Sequence, residues 1–517
     1  MINRIALFVC FLVSYSINAQ QNFISLHSFY KDQVFANKLE KSYNGGSFFP
    51  VSEANYNLIP AIRDSSKQYY TFTQILFKKH LIELKGEDFF LTIDPVLNIA
   101  YGKNFSDTSD NRLFQNTRGL HVEGDLFKTF SFSTTVYENQ ARFNAYETAY
   151  YSSVGELYPR PDSTYLTQNA VIPGSARTKP FKGDGFDYAS AVGYFTYTPF
   201  KTLRISAGNN QQFVGDGHRS ILLSDNSISA PYFRIDWRIS SKFSATYLRV
   251  KHLNLLRKPT SSSAESYYEQ KGYSVNYFTY HANDKISVSL FESGNWNRGD
   301  SISSRSAHPL YYNPVPFVSG LALKNKNEVV SLVGLNLSYQ IAEKHRLYGQ
   351  FAINDFDRNK LAAQFGYRGY NYFGIRDFMF QFEYNYVAEG MYEAKNRRLN
   401  NTQYNLPLAH TKGSGFQEFI VRSNYEIKRL YIDLSIAYYI TQNYSSVAHL
   451  PIYEDFNRNS NAIFYENLEL GYRINRKMNL TIFGSWTYRT EENSPIQGTN
   501  AINLGIRTGL INHYKDF

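Results

Sequence analysis

From about residue 89 onward the chain is written in segments of roughly ten residues in which apolar and polar side chains alternate. In an extended strand successive side chains point to opposite faces, so each segment has one greasy face and one wet face. The cleanest example runs from Leu430 to Ile440. Leu430, Ile432, Leu434, Ile436, Tyr438 and Ile440 share one side, and Tyr431, Asp433, Ser435, Ala437 and Tyr439 share the other. Phe378, Phe380, Phe382, Tyr384 and Tyr386 likewise oppose Met379, Gln381, Glu383 and Asn385, and Phe233, Ile235, Trp237 and Ile239 oppose Tyr232, Arg234, Asp236 and Arg238. A water-soluble sandwich also alternates, but its strands are usually shorter and its polar face looks outward. Strands this long, with aromatics at their ends and charges on the second face, suit an all-β membrane barrel.

The links between segments permit a count. Tight polar links stand at Asp125–Lys128, Pro199–Thr202, Ser240–Lys242, Ala282–Lys285, Ala342–His345, Gly374–Asp377, Glu426–Arg429 and Asn475–Lys477. These eight hairpins give sixteen strands; one segment before them, Phe89–Tyr101, and one after, Ala501–Asn512, bring the expectation to about 18 antiparallel strands. The remaining links are mostly long, and Ala141–Asp187 takes 47 residues. Short links at one end and long ones at the other is the pattern of periplasmic turns and extracellular loops. An even count leaves both termini in the periplasm. The terminal aromatic Phe517 fits the signal that barrel-insertion machinery commonly reads.

Composition closes off other classes. Of 517 residues, 17% are aromatic, with 44 Tyr and 40 Phe, a share that argues against disorder. Beyond residue 20 no stretch approaches the ~18 consecutive apolar residues of a spanning helix. The net charge of +10 is scattered rather than gathered into runs, which excludes the footprint of a nucleic-acid partner. Many of the tyrosines are accounted for by the interfacial girdles of a barrel, without any ligand.

The chain opens with Met1-Ile2-Asn3-Arg4, a positive start, followed by a largely apolar run from Ile5 to Tyr15 and a small residue, Ala19, before Gln20. Residues 1–19 therefore read as a secretory signal peptide. The only cysteine, Cys10, falls inside it, so the mature chain has no thiol chemistry and no disulfide. Residues 20–88 read differently from the rest. Ser52-Glu53-Ala54-Asn55 can cap a short helix, and Tyr69–Lys85 carries Phe72, Ile75, Leu76 and Ile82 at helical spacing, widened by Phe77, Leu81 and Leu84. The expectation is an N-terminal periplasmic helical or plug region at 20–88, under or inside the mouth of a barrel at 89–517; a helix pair with no plugging role fits these residues equally.

The densest polar constellation is Gly215-Asp216-Gly217-His218-Arg219-Ser220-Ile221-Leu222-Leu223-Ser224-Asp225-Asn226, expected at the outer end of a strand over Leu203–Phe213. Gly215 and Gly217 permit tight turning of the loop. Asp216, His218, Arg219, Asp225 and Asn226 supply donors and acceptors suited to hydroxyl or acidic sugar groups. A hydrolase would use Ser220 or Ser224 with His218, but neighbours in sequence rarely form such a triad. The third reading is structural: a loop folded into the barrel and held by its own polar network.

The run from Gly215 to Asn226, followed by Pro231 and a strand, resembles the signature of the Wzi family of capsule-assembly outer-membrane proteins. That resemblance implies an eighteen-stranded barrel with N-terminal helices in the cell outer membrane, among lipid and lipopolysaccharide, acting as a lectin that holds surface polysaccharide. Arg118-Gly119-Leu120 and Tyr137-Glu138-Asn139-Gln140-Ala141-Arg142 are similar to a branch associated with gliding motility, the RemB-like proteins. The expected function is thus non-enzymatic: binding or anchoring capsule or exopolysaccharide, or supporting gliding at the cell surface, with no cofactor and no metal. Two alternatives stay open, an accessory subunit bound to proteins of a gliding or secretion apparatus, and a diffusion porin. Asp355-Phe356-Asp357-Arg358-Asn359 starts like a calcium loop, but Lys360 and Gly366 stand where glycine and glutamate are needed. It reads as a solvated turn.

Overall fold

The computed structural model describes residues 22–40, 47–52, 71–107, 112–127, 129–160, 165–257, 268–299, 305–324, 326–441, 461–494, 496, 498–509, 512 and 514–517. The signal peptide expected at 1–19 and residues 53–55 of the expected cap lie outside them. The first six barrel strands are β1 Phe89–Asn104, β2 Arg112–Leu126, β3 Phe130–Arg142, β4 Gly185–Phe200, β5 Leu203–Asn210 and β6 Ala230–Arg238. The next six are β7 Phe243–Arg257, β8 Tyr268–His281, β9 Ile286–Asn297, β10 Val329–Ala342, β11 His345–Asn354 and β12 Leu361–Tyr370. The last six are β13 Phe378–Val387, β14 Phe416–Ile427, β15 Leu430–Thr441, β16 Ala462–Asn475, β17 Leu480–Glu491 and β18 Thr499–Arg507. Each pairs antiparallel with its neighbour. β18 then pairs back onto β1, with Ala501 opposite Asn104 and Arg507 opposite Asn98. The sheet is a closed barrel of eighteen strands.

The eight tight links all lie at one end of this barrel, and the long connections at the other. The alternation places side chains as a lipid-facing barrel requires. Ile432 and Ile440 on β15, Leu335 and Leu337 on β10 and Leu504 on β18 are exposed on the outside. Gln381, Glu383, Asn385 and Glu418, on the inner face, are fully buried. A protein that is greasy outside and polar inside inverts the usual partition, and only a surrounding apolar solvent stabilises that arrangement. Exposed aromatics mark the turn end, among them Trp237, Phe243, Tyr339 and Phe373, where an interfacial girdle would sit. Among the described residues no helix is long and apolar enough to cross a membrane.

The lumen is packed with the chain's own segments. Helix α1, Ser28–Glu40, lies against the inner wall: the Asp32 carbonyl accepts from the Tyr370 hydroxyl at 2.8 Å, and Arg368 stacks 4.0 Å from the Phe35 ring. Phe48–Phe49 then pairs with Phe213–Val214, and Phe48 meets Tyr277 of β8 edge-on at 5.5 Å. From the loop end, residues 388–415 dip inward, and Leu399, Thr402, Leu406 and His410 are buried. Lys271 of β8 fastens this loop by donating to the Asn400 carbonyl at 2.7 Å and to the Thr402 hydroxyl at 2.9 Å.

Two local expectations fail. Of the described residues in the Tyr69–Lys85 stretch, only Thr71–Phe77 is helical (α2). Ile82–Lys85 is instead a strand running antiparallel to the start of β1, with Ile82 opposite Ile93 and Lys85 opposite Phe90. Leu81, Ile82 and Leu84, whose spacing suited an apolar helix stripe, are exposed beside Phe89; the open edge of β1 below β18 decides the local structure there. At the other terminus β18 ends at Arg507, and Phe517 does not finish it. Phe517 is buried against the helix of the long β3–β4 connection, α3 Ala145–Ser153, with its ring 4.1 Å from that of Tyr150.

Candidate functional site

The segment Gly215–Asn226 does not sit at the outer rim, where the sequence placed it. It lies within the barrel, against the middle of β10–β14. Gly215 has φ +129°, a backbone conformation that side-chain-bearing residues rarely adopt. A Cβ there would fall 2.3 Å from Gln350 Nε2. Gly217 is as tightly confined: a Cβ would meet the Arg219 carbonyl at 2.6 Å and Glu383 Oε2 at 2.7 Å. The two glycines thus let this backbone press onto the inner wall.

Glu383 receives that backbone. Its carboxylate accepts from the His218 amide at 2.8 Å, the Arg219 amide at 3.0 Å and the Tyr348 hydroxyl at 2.8 Å. Gln350 takes the next turn, accepting from the Ile221 amide at 2.9 Å and donating to the Val214 carbonyl at 2.9 Å. Arg219 is buried at the centre. Its Nε donates to Glu418 at 3.2 Å, one Nη donates to the Tyr439 hydroxyl at 3.0 Å and to Asp516, and the guanidinium lies 4.8 Å from the Tyr514 ring. Glu418 also takes His410 at 2.6 Å and the Asn385 amide at 2.7 Å. Charges taken this far from water are costly unless paired and hydrogen-bonded; Arg219, Glu418 and Asp516 are paired, with one Nη of Arg219 left without a hydrogen bond among the described residues.

The residues singled out from sequence therefore divide. Asp216 accepts from the Ser47 hydroxyl at 2.9 Å, and Asp225 from the Tyr514 hydroxyl at 2.7 Å and the Asn512 amide at 2.9 Å. Asn226 donates to the Pro407 carbonyl at 3.3 Å. With Arg219, these three are turned to partners inside the fold. Ser220 bonds to Gln350 at 3.3 Å and Ser224 to Asp225 at 3.5 Å, so neither serine is brought onto the His218 ring. His218 alone of the five lines open space. Burial, with Arg422, Arg219 and Lys31 close by, holds its imidazole well below its ordinary pKa, so it stands neutral.

That open space is a lumenal cavity of about 760 Å³. His218, Tyr514 and Asp516 border its inner end, and Asp377, Lys428 and Arg476 border the end with the tight turns. A second hollow of about 450 Å³ lies toward the loops, bordered by Arg177, Ser190, Asn209, Lys251 and Tyr404. Sequence reasoning missed Lys31, Arg368, Tyr514 and Asp516. The two carboxylates that anchor Arg219, Glu418 and Asp516, come from strand and tail positions far along the chain, and only the inward register of β14 hints at the first.

No family model matches the sequence, and no curated protein matches it. Among solved structures the fold is similar to that of Wzi from Escherichia coli, an outer-membrane protein involved in group 1 capsule assembly and a carbohydrate-binding β-barrel. The TM-score is 0.58 at 11% identity, over 94% of this chain and 99% of that one. OccAB4 of Acinetobacter baumannii (TM-score 0.42, 10% identity, 82% of this chain and 98% of that one) and OccK7 of Pseudomonas aeruginosa (0.44, 7%, 82% and 100%) are more distant in shape. At these identities the likeness speaks for architecture, and it agrees with the strand count: the chain has the fold of a closed, eighteen-stranded barrel of the kind seen in Wzi.

Proposed function

We propose that this protein is a non-enzymatic barrel of the outer membrane that holds surface polysaccharide at its long-loop end. The observation that carries this reading is the filled lumen. Helix α1, the Gly215–Asn226 segment, the inward loop 388–415 and the C-terminal tail all occupy space that an eighteen-stranded pore would leave to water. A barrel so occupied is suited to presenting a surface. Residues 20–88, through the described residues 22–40 and 47–52, act in this reading as the plug of the turn-end mouth. The resemblance of the Gly215–Asn226 run to the Wzi signature, and the shared fold with a carbohydrate-binding barrel, both support a polysaccharide ligand. The hollow bordered by Ser190, Asn209 and Tyr404 offers hydroxyl and amide groups of the kind that grip sugar hydroxyls.

Cells lacking the protein are expected to shed polysaccharide into the medium, and cells complemented with it to retain the polymer, as measured by fractionating cell-bound and free carbohydrate. Equal retention in both would refute the reading. The motility role implied by the RemB-like branch predicts instead reduced spreading on agar with polysaccharide retention unchanged; no contact described above favours it.

A further inference from the structure

Among the described residues, two cations in the large lumenal cavity, Lys31 and Arg368, have no carboxylate within ion-pair distance, Lys31 keeping only the longer-range pull of Asp225 and Asp32, while most of the carboxylates around them are bonded to other groups. Asp32 is held by Arg422 at 3.3 Å, Glu426 by Arg473 at 3.4 Å and Glu469 by Arg507 at 2.5 Å. Asp433 accepts from the Asn424 amide at 3.1 Å. Arg368 of β12 is only 3% exposed, and its Nε and one Nη have no hydrogen-bond partner among the described residues. Its stabilising contacts are the faces of Phe35 at 4.0 Å and Tyr348 at 6.0 Å. Lys31 of α1 is 5% exposed, and its ammonium rests 3.3 Å from the centre of the Phe213 ring and 6.0 Å from that of Phe49. Phe35 packs edge-on against Phe49 at 5.4 Å, so both cations adjoin one aromatic cluster. Both also line the same cavity.

We propose that this cavity is an oxyanion site, entered from the tight-turn end, in which Lys31 and Arg368 take the charge of a carboxylate or phosphate group. An unpaired guanidinium in a buried position is costly, and aromatic faces compensate only in part. A small oxyanion accepts hydrogen bonds from both an ammonium and a guanidinium, the pairing with the strongest bonds available to either. Burial draws the Lys31 pKa down to about 8 against the pull of Asp225, with Arg368 and Arg422 adding to the descent, so the cluster as it stands disfavours its own positive charge. An entering anion reverses that. Lys428 and Arg476 at the mouth place like charge along the route, and about 760 Å³ is ample for a phosphate or an acidic monosaccharide. The proposal is separate from polysaccharide retention, since this cavity faces the end opposite the long loops.

The test is calorimetric titration of the full-length protein in nonionic detergent with inorganic phosphate, with glucuronate and with uncharged glucose. Saturable binding of phosphate, glucuronate or both, without binding of glucose, is expected, and the tighter of the two names the source chemistry. Arg368→Gln and Lys31→Met should each weaken that binding by about tenfold or more, the share of one charge-assisted hydrogen bond. Arg238→Gln, at the exposed end of β6 and away from the cavity, should leave it unchanged. Heat-modifiable migration on gels reports folding of each variant. Two folded variants that bind as wild type does, or a wild type that binds neither anion, would overturn the proposal.

Discussion

Arg219 illustrates what a polar lumen asks of a single side chain. It stands between Glu418 and Asp516 with Tyr439 at its flank, all within the buried interior. Arg219→Met removes the cation and leaves two carboxylates facing each other. Loss of one partner from a buried ionic group costs about 3–5 kcal/mol, and urea unfolding in lipid vesicles should register a loss of that size. The outer face answers to a different solvent. Leu434→Arg, toward the middle of β15, should cost about 2–4 kcal/mol, while Leu430→Arg at the turn should cost about 0–1 kcal/mol, because the penalty falls with distance from the midplane. Asp433→Asn keeps a partner for the Asn424 amide and should leave stability nearly unchanged. These faces were legible in the sequence, since strand alternation is a local property. The surroundings of Arg219 were not: its two carboxylates lie 199 and 297 residues away along the chain, and no spacing rule links them.

Among the elements, the strands were read from their period and their turns, while the pieces inside the barrel were read poorly. Period-2 alternation identifies a strand wherever one face meets lipid and the other meets polar groups. A segment enclosed in the lumen meets protein on every side, polar groups in one place and apolar clusters such as that of Ile221, Leu222 and Leu223 in another, and carries no such period. The tail containing Tyr514, Asp516 and Phe517 was therefore read as the end of the last strand with an insertion signal, and the polar run Gly215–Asn226 was placed at the rim instead of against Gln350 and Glu383. Ile82–Lys85 differs for the converse reason: its apolar residues fit a helix stripe, but its pairing satisfies backbone groups along the edge of β1 that a helix would leave unbonded. The filled lumen makes a functional statement about these elements. In planar bilayers the wild-type barrel should be nearly silent. Deletion of residues 22–52, which removes α1 and the Phe48–Phe49 strand, should open steady single-channel currents. Large currents from the intact protein would instead support a porin.

For the whole molecule, the two ends of the barrel make opposite predictions for intact cells. Gly183, in the long connection between β3 and β4, has φ +85° and open space around it, and an epitope tag inserted there should be reached by antibody. Gly374, in the tight link between β12 and β13, is equally uncrowded at φ +74°, and a tag there should stay hidden until the outer membrane is permeabilised. The reverse pattern would invert the orientation; access to both would remove the barrel from the membrane.

The tail that follows β18 has a consequence for how such a molecule is assembled. The seam joins β1 to β18, and the chain continues inward from both sides of it: α1 precedes β1 along the sequence, and Asp516 reaches Arg219 after β18 ends. Each piece is tethered to a strand that forms the seam and is held inside by its own bonds, Arg219 to Asp516 and Tyr370 to the Asp32 carbonyl. A stopper of this kind resembles a ship built inside its bottle. It must be gathered while the wall is still a curved ribbon, and the final zipping of Ala501 against Asn104 then locks it in place. Sealing is thus coupled to filling. Variants that weaken the grip on the tail, such as Arg219→Met, should accumulate as open ribbons during biogenesis before any deficit appears in the finished barrel.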